Sequence, residues 1–210
     1  MRRLLTVCHL LFIDLGLIRL FFNRPAEVVP GVWRSNQPTP WRINSLAQRG
    51  FKTVLNLRGE GKSSAFRLEV EACQRTQVTL HNLKMSSRRP PTKDQLQALR
   101  QLFHEAPRPL LLHCKSGADR AGLVSALFLL WSGRPLDEAK QALSWRYLHI
   151  RHAATGMMDW FLLAYENAYR QTSVGFDEWL DNHYDREQVT RSFNPKGPLV
   201  WLVDVVLRRE

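Results

Sequence analysis

From Gly31 onward the apolar positions switch between two rhythms, short β-type runs and longer runs at helical spacing. Gly31 to Ser35 reads as a short strand, Pro40 to Arg49 as a helix closed by Gly50, and Lys52 to Leu57 as a β-rich strand. Ala65 to Arg75 follows as a helix and Val78 to Leu83 as a second buried strand. Ser86-Ser87-Arg88-Arg89-Pro90-Pro91 must be a loop, because proline bars continuation of either ladder. Thr92 and Gln95 have capping-box spacing and open a helix that runs to about Glu105. Leu110 to His113 is a fully buried strand, Ala121 to Trp131 an apolar helix, and further helices are expected over Leu136 to Trp145 and Thr155 to about Arg170. Leu199 to Arg209 is amphipathic with a basic end. Strands alternating with helices predict an α/β fold: a central, mostly parallel sheet of four to five strands flanked by helices, with helical extensions at both ends.

The first 24 residues break this rhythm. Leu4 to Phe22 is apolar after Arg2-Arg3, yet it contains His9, Asp14 and Arg19. An Asp or Arg near the centre of a span costs roughly 2.5–3.5 kcal/mol on insertion scales, which argues against a clean membrane anchor. No A-x-A-like site follows, which argues against a cleaved signal peptide. Leu4, Cys8, Leu11, Leu15, Ile18 and Phe22 share a helical face, which suits docking on the domain or lying at a membrane surface. The expected organisation is therefore residues 1–24 as an amphipathic helix, 25–170 as the main α/β domain, and 171–210 as a helical extension.

Composition is that of an ordinary globular chain, with 44% hydrophobic and 23% charged residues, so a collagen-like or disordered chain is excluded. Charge changes the picture more. Residues 25–170 carry 21 Lys or Arg against 11 Asp or Glu, which accounts for nearly all of the net +11. Such a field attracts phosphorylated substrates, nucleic acid or an anionic membrane surface. No stretch interleaves basic and aromatic residues as a stacking platform would, so nucleic acid is not an expected partner. The three cysteines, Cys8, Cys73 and Cys114, have no CxxC or zinc-finger spacing, so neither a disulfide framework nor a metal site is expected. A reducing, cytoplasmic setting fits free thiols, with peripheral attachment to the inner face of a membrane left open.

Chemistry concentrates in His113-Cys114-Lys115-Ser116-Gly117-Ala118-Asp119-Arg120, between the buried strand and the apolar helix. A loop in that setting can turn successive backbone N–H groups inward, and a helix N-terminus favours negative charge. A phosphate dianion fits such a nest, held by the backbone of Lys115, Ser116, Gly117 and Ala118. Cys114 at its mouth is the candidate nucleophile, since a helix N-terminus and a neighbouring cation favour the thiolate. The planar fork of Arg120 can bind two phosphoryl oxygens at once and stabilise the transition state. His113 is placed to hold the loop by hydrogen bonding, not to donate protons.

The H-C-x5-R run, followed by a small residue and Gly122, resembles the signature of the protein tyrosine phosphatase superfamily, in its compact dual-specificity branch of bacterial type. Val32-Trp33-Arg34-Ser35-Asn36-Gln37-Pro38 and Val54-Leu55-Asn56-Leu57-Arg58 look like strings of the same branch. The resemblance implies the cysteine phosphatase fold and hydrolysis of phosphate monoesters through a phosphocysteine, with no cofactor. It also exposes two departures. The family carries Ser or Thr after the signature arginine, where this chain has Ala121; turnover is then slower, or Ser116 or an ordered water stands in. The family takes its general acid from the loop corresponding to Lys84 to Pro91, which here contains no Asp or Glu. Asp119 is the leading candidate, because myotubularin-like lipid phosphatases and some bacterial tyrosine phosphatases carry Asp at that place. Asp94 and Glu60 are the others, and a loop-bracing role for Asp119 stands beside the catalytic one. Related enzymes also imply a redox partner for Cys114, for which Cys73 is the candidate, beside its plainer reading as a core cysteine.

Arg88 and Arg89 are expected to clamp the remote part of an anionic substrate, with Arg146, His149, Arg151 and His152 adding to a basic rim. The substrate stays open among phosphoproteins, phospholipids or glycolipid phosphates, and inositol-type polyphosphates. The basic domain and the apolar ends favour a membrane-proximal one. A phosphate-binding module with little turnover, a pseudophosphatase or a phosphoprotein-recognition domain, is the alternative that Ala121 and the missing loop acid keep open.

Overall fold

The computed structural model describes residues 25–151 and 153–193. The expectations for residues 1–24, for His152 and for Leu199 to Arg209 lie outside them. The fold is α/β, as the alternation of elements requires. Its strands are β1 (Ala26–Val29), β2 (Val32–Ser35), β3 (Thr53–Asn56), β4 (Thr79–Asn82) and β5 (Leu110–His113). Its helices are α1 (Pro40–Gln48), α2 (Ser64–Thr76), α3 (Lys93–Glu105), α4 (Arg120–Trp131), α5 (Leu136–Gln141), α6 (Met157–Thr172), α7 (Phe176–Glu178) and α8 (Arg186–Ser192).

The described residues fall into two compact units: 25–84 with Ala106–Gly117, and Met85–Glu105 with 118–193. The first holds one five-stranded sheet in the order β1-β2-β5-β3-β4. The β2–β5, β5–β3 and β3–β4 pairs are parallel, and Leu110 lies opposite both Val32 and Thr53. β3 and β5 are buried at every position, as continuous apolar runs in a parallel sheet should be. Ile43 and Leu46 of α1 and Ala72 and Cys73 of α2 pack with Phe51, Val54, Val78 and Leu111 into one core cluster. Thr39 and Ser63 cap these helices by accepting from the N–H groups of Arg42 and Phe66.

Three details depart from the sequence pattern. β1 pairs antiparallel with β2 through a tight turn at Pro30-Gly31, where Gly31 takes φ +75°, and four residues after a proline gave too short a run to announce it. β4 is an edge strand and not a buried one: Thr79 is exposed and the three positions after it are half-buried. The helix expected over Leu136 to Trp145 ends at Gln141, and a short 3₁₀ turn spans Trp145–Tyr147 before Leu148 enters the left-handed region.

In the second unit α4 is buried on every face from Ala121 to Leu129, so it shows no amphipathic stripe. Phe103, Phe128, Trp131, Phe161, Tyr165, Phe176, Trp179 and Tyr184 form a chain of ring contacts through it. α3 opens with the expected capping box: the Gln95 N–H donates to Thr92 Oγ1 at 3.2 Å and the Thr92 N–H to Gln95 Oε1 at 2.9 Å. Beyond α6 the chain is helical from Phe176 to His183 and again from Arg186 to Ser192, and this stretch holds the loop before α3: Tyr184 donates to the Pro91 carbonyl and Arg186 to that of Pro90.

Candidate active site

The loop from Cys114 to Asp119 leaves the C-terminal end of β5 and enters α4. Its first half belongs to the sheet unit. The Gly117 N–H donates to Cys114 Sγ at 3.2 Å, so a backbone amide already faces the sulfur and would stabilise negative charge there. Gly117 takes φ +77°, which L side chains rarely adopt, and its carbonyl turns away to accept from Arg34 Nη2 at 2.5 Å. Arg34 is only 1% exposed and sits beneath the loop. Because the peptide is planar, fixing the Gly117 carbonyl also fixes the Ala118 N–H on the opposite side.

His113 is fully buried, with Nδ1 3.4 Å from the Cys114 carbonyl and Nε2 2.6 Å from Glu69 Oε1. Glu69, buried on α2, also accepts from Gln37 Nε2 at 3.0 Å, and Gln37 in turn accepts from Arg58 Nη1 at 2.7 Å. A continuous chain of polar contacts thus runs from Arg58 to the cysteine's own peptide.

The second half of the loop belongs to the helical unit. Asp119 is buried, and its Oδ1 lies 2.7 Å from Nδ1 of His149, itself 3% exposed. The other ring nitrogen of His149 lies 2.5 Å from Asp159 Oδ2, and Asp159 Oδ1 pairs with Arg151 at 2.9 Å. Burial opposes a charged His149, but its bonds to Asp119 and Asp159 outweigh that and raise its pKa above the ordinary imidazole value. Arg120, half-buried at the start of α4, reaches the Met85 carbonyl at 3.5 Å, which sets it beside the loop that carries Arg88 and Arg89.

Lys115 and Ser116 are half-buried, whereas Gly117 and Ala118 are buried. Arg88 is half-buried with its N–H on Ser86 Oγ, and Arg89 is exposed. Asp94 is exposed in the first turn of α3 and Glu60 is exposed after β3. His149 is not part of an exposed basic rim; Arg146 and Arg151 are the exposed members. Cys73 is a free thiol in the core cluster, its pKa pushed up to about 12 by burial first and the Glu69 charge second. Among the described residues no cluster of three or more His, Cys, Asp or Glu could hold a metal ion.

Sequence reasoning gave no role to Arg34, Glu69 or Asp159. For Arg34 a signal existed: it stands two residues from Val32 in a short strand and so shares its face. Glu69 and Asp159 sit on helices where a carboxylate usually means a solvated face.

Residues 23–151 match the family described as DSP-PTPase phosphatase fused to NAD+ kinase. No curated protein matches the chain. Among solved structures, TpbA of P. aeruginosa superposes with a TM-score of 0.54 at 18% identity, over 81% of this chain and 90% of that one. The core catalytic domain of the PP-IP phosphatase SIW14 from S. cerevisiae, in complex with citrate, gives 0.53 at 18% identity, over 71% and 92%. At such identities the likeness is one of fold. No helix among the described residues is long and apolar enough to cross a membrane.

Proposed function

Since the chain belongs to the DSP-PTPase phosphatase family, we propose that it hydrolyses phosphate monoesters through a phosphocysteine on Cys114. The observation that carries this reading is the amide of Gly117 donating to the Cys114 sulfur in a loop between a buried strand and the apolar helix α4. In the first half-reaction the thiolate attacks phosphorus, the S–P bond forms, the P–O bond to the leaving group breaks, and the leaving oxygen takes a proton. Arg120 neutralises the equatorial oxygens while the loop amides from Lys115 to Ala118 bind the rest. In the second half-reaction water attacks phosphorus and gives its proton to the carboxylate left by the first step, the S–P bond breaks, and phosphate leaves with the thiolate restored.

The proton of the first step comes from one of Asp119, Asp94 and Glu60. Comparing Asp119→Asn, Asp94→Asn and Glu60→Gln on aryl phosphates with good and poor leaving groups identifies it, since the true acid matters mainly for the poor one. Arg88 and Arg89, beside Arg120 through Met85, bind the remote part of an anionic substrate. The net positive charge and the exposed Arg146 and Arg151 support a membrane-proximal, phosphate-rich substrate, a phospholipid or glycolipid phosphate before a phosphoprotein.

Phosphate release from an aryl phosphate, with wild type beside Cys114→Ser, tests the reading. Release by wild type and none by Cys114→Ser is expected. A wild type that binds phosphate without turnover would support the binding-module alternative that Ala121 and the missing loop acid keep open, and an unchanged Cys114→Ser would remove Cys114 from the chemistry.

A further inference from the structure

The contacts that His149 makes with Asp119 and Asp159 enter no step above, where Asp119 figures only as a candidate acid. Asp119 immediately precedes Arg120 in the chain and accepts from one ring nitrogen of His149. His149 comes from the segment after the 3₁₀ turn, and its second nitrogen meets Asp159 in the first turn of α6. Asp159 is 23% exposed and is held from outside by Arg151. Among the described residues the charged groups bonded to the imidazole are Asp119 from the loop and Asp159 from α6, with Arg151 behind Asp159. Two carboxylates on opposite sides of a ring are both satisfied only when both nitrogens carry hydrogen, which is the imidazolium.

We propose that His149 is a positioning residue that holds the Asp119 end of the phosphate loop, and that the hold is switched by its protonation. Resting on the phosphatase reading, this assigns Asp119 to bracing the Ala118–Arg120 backbone and removes it from the list of acids. A carboxylate that accepts from an imidazolium at rest is set to receive a proton, not to give one. When His149 loses a proton at high pH, one of the two contacts becomes a lone pair facing a carboxylate. The clamp then opens on the Asp119 or the Asp159 side, and Arg120 loses its fixed neighbour. The raised His149 pKa means that this release occurs above the ordinary imidazole range.

The test measures kcat and KM against pH for wild type, His149→Gln and Asp159→Asn, with two aryl phosphates of good and poor leaving groups. His149→Gln should lower kcat about 10- to 100-fold, the scale of one hydrogen bond to a charged group. The loss should be the same for both substrates, and the falling basic limb of the wild-type profile should disappear. Asp159→Asn should move that limb to lower pH, as should the His149 ring titration followed by NMR. Asp119→Asn should slow both substrates alike. A loss confined to the poor leaving group in Asp119→Asn would make Asp119 the acid and overturn the proposal. So would a basic limb identical in wild type, His149→Gln and Asp159→Asn. If wild type releases no phosphate at all, the phosphatase reading fails separately. The clamp is then judged by the affinity for inorganic phosphate in the two proteins: the advantage of wild type over His149→Gln should shrink as pH rises, and parallel curves would refute it.

Discussion

At the scale of single residues, the loop depends on side chains far from it in sequence. Arg34 Nη2 reaches the carbonyl of Gly117, 83 positions away, and sets the peptide that presents the next amide. Beside these supports, Ala121 leaves the first turn of α4 without the hydroxyl that the family places there. It is buried, and its carbonyl accepts from Ser125 Oγ at 2.7 Å. If the hydroxyl eases breakdown of the phosphocysteine, Ala121→Ser should raise steady-state turnover while leaving the rapid first release of the aryl alcohol unchanged. Rapid-mixing measurements of burst and steady phases check this, and a slower steady phase would show that the loop is already tuned to alanine.

Among the elements, α3 shows how local chemistry fixes a boundary. Thr92 and Gln95 satisfy each other's backbone N–H groups, and the Pro90-Pro91 pair before them is held by Tyr184 and Arg186. Thr92→Ala removes one acceptor and should cost about 0.5–2 kcal/mol of stability, read from urea unfolding, with little effect on phosphate release. The capping box and the prolines were legible because they act over three or four residues. β4 was not, because Val78 and Leu80 alternate with polar neighbours in a pattern that suits a buried strand and a sheet edge alike. β1 escaped for another reason: it gains its identity only from pairing with β2.

For the molecule as a whole, the clamp at His149 ties stability to pH. Its folded pKa is raised, so its contribution is fully present below the unfolded imidazole value of about 6.5 and is lost as pH rises through the folded value. Unfolding free energies of wild type and His149→Gln should therefore differ most at low pH and converge at high pH. A constant gap would assign the effect to packing alone.

The sequence by itself determined the α/β class, the strand–loop–helix setting, and the placing of Cys114 and Arg120 in one loop. All of these rest on contiguous residues, where periodicity, turn chemistry and spacing act directly. Only the tertiary structure decided what braces that loop: Arg34 under Gly117, Glu69 against His113, and His149 between Asp119 and Asp159. Those contacts join residues 10 to 83 positions apart, and in a linear chain each partner reads as an ordinary strand, helix or surface residue. Burial gives them their meaning, because a charged or polar group taken out of water must find its complement wherever the fold brings one.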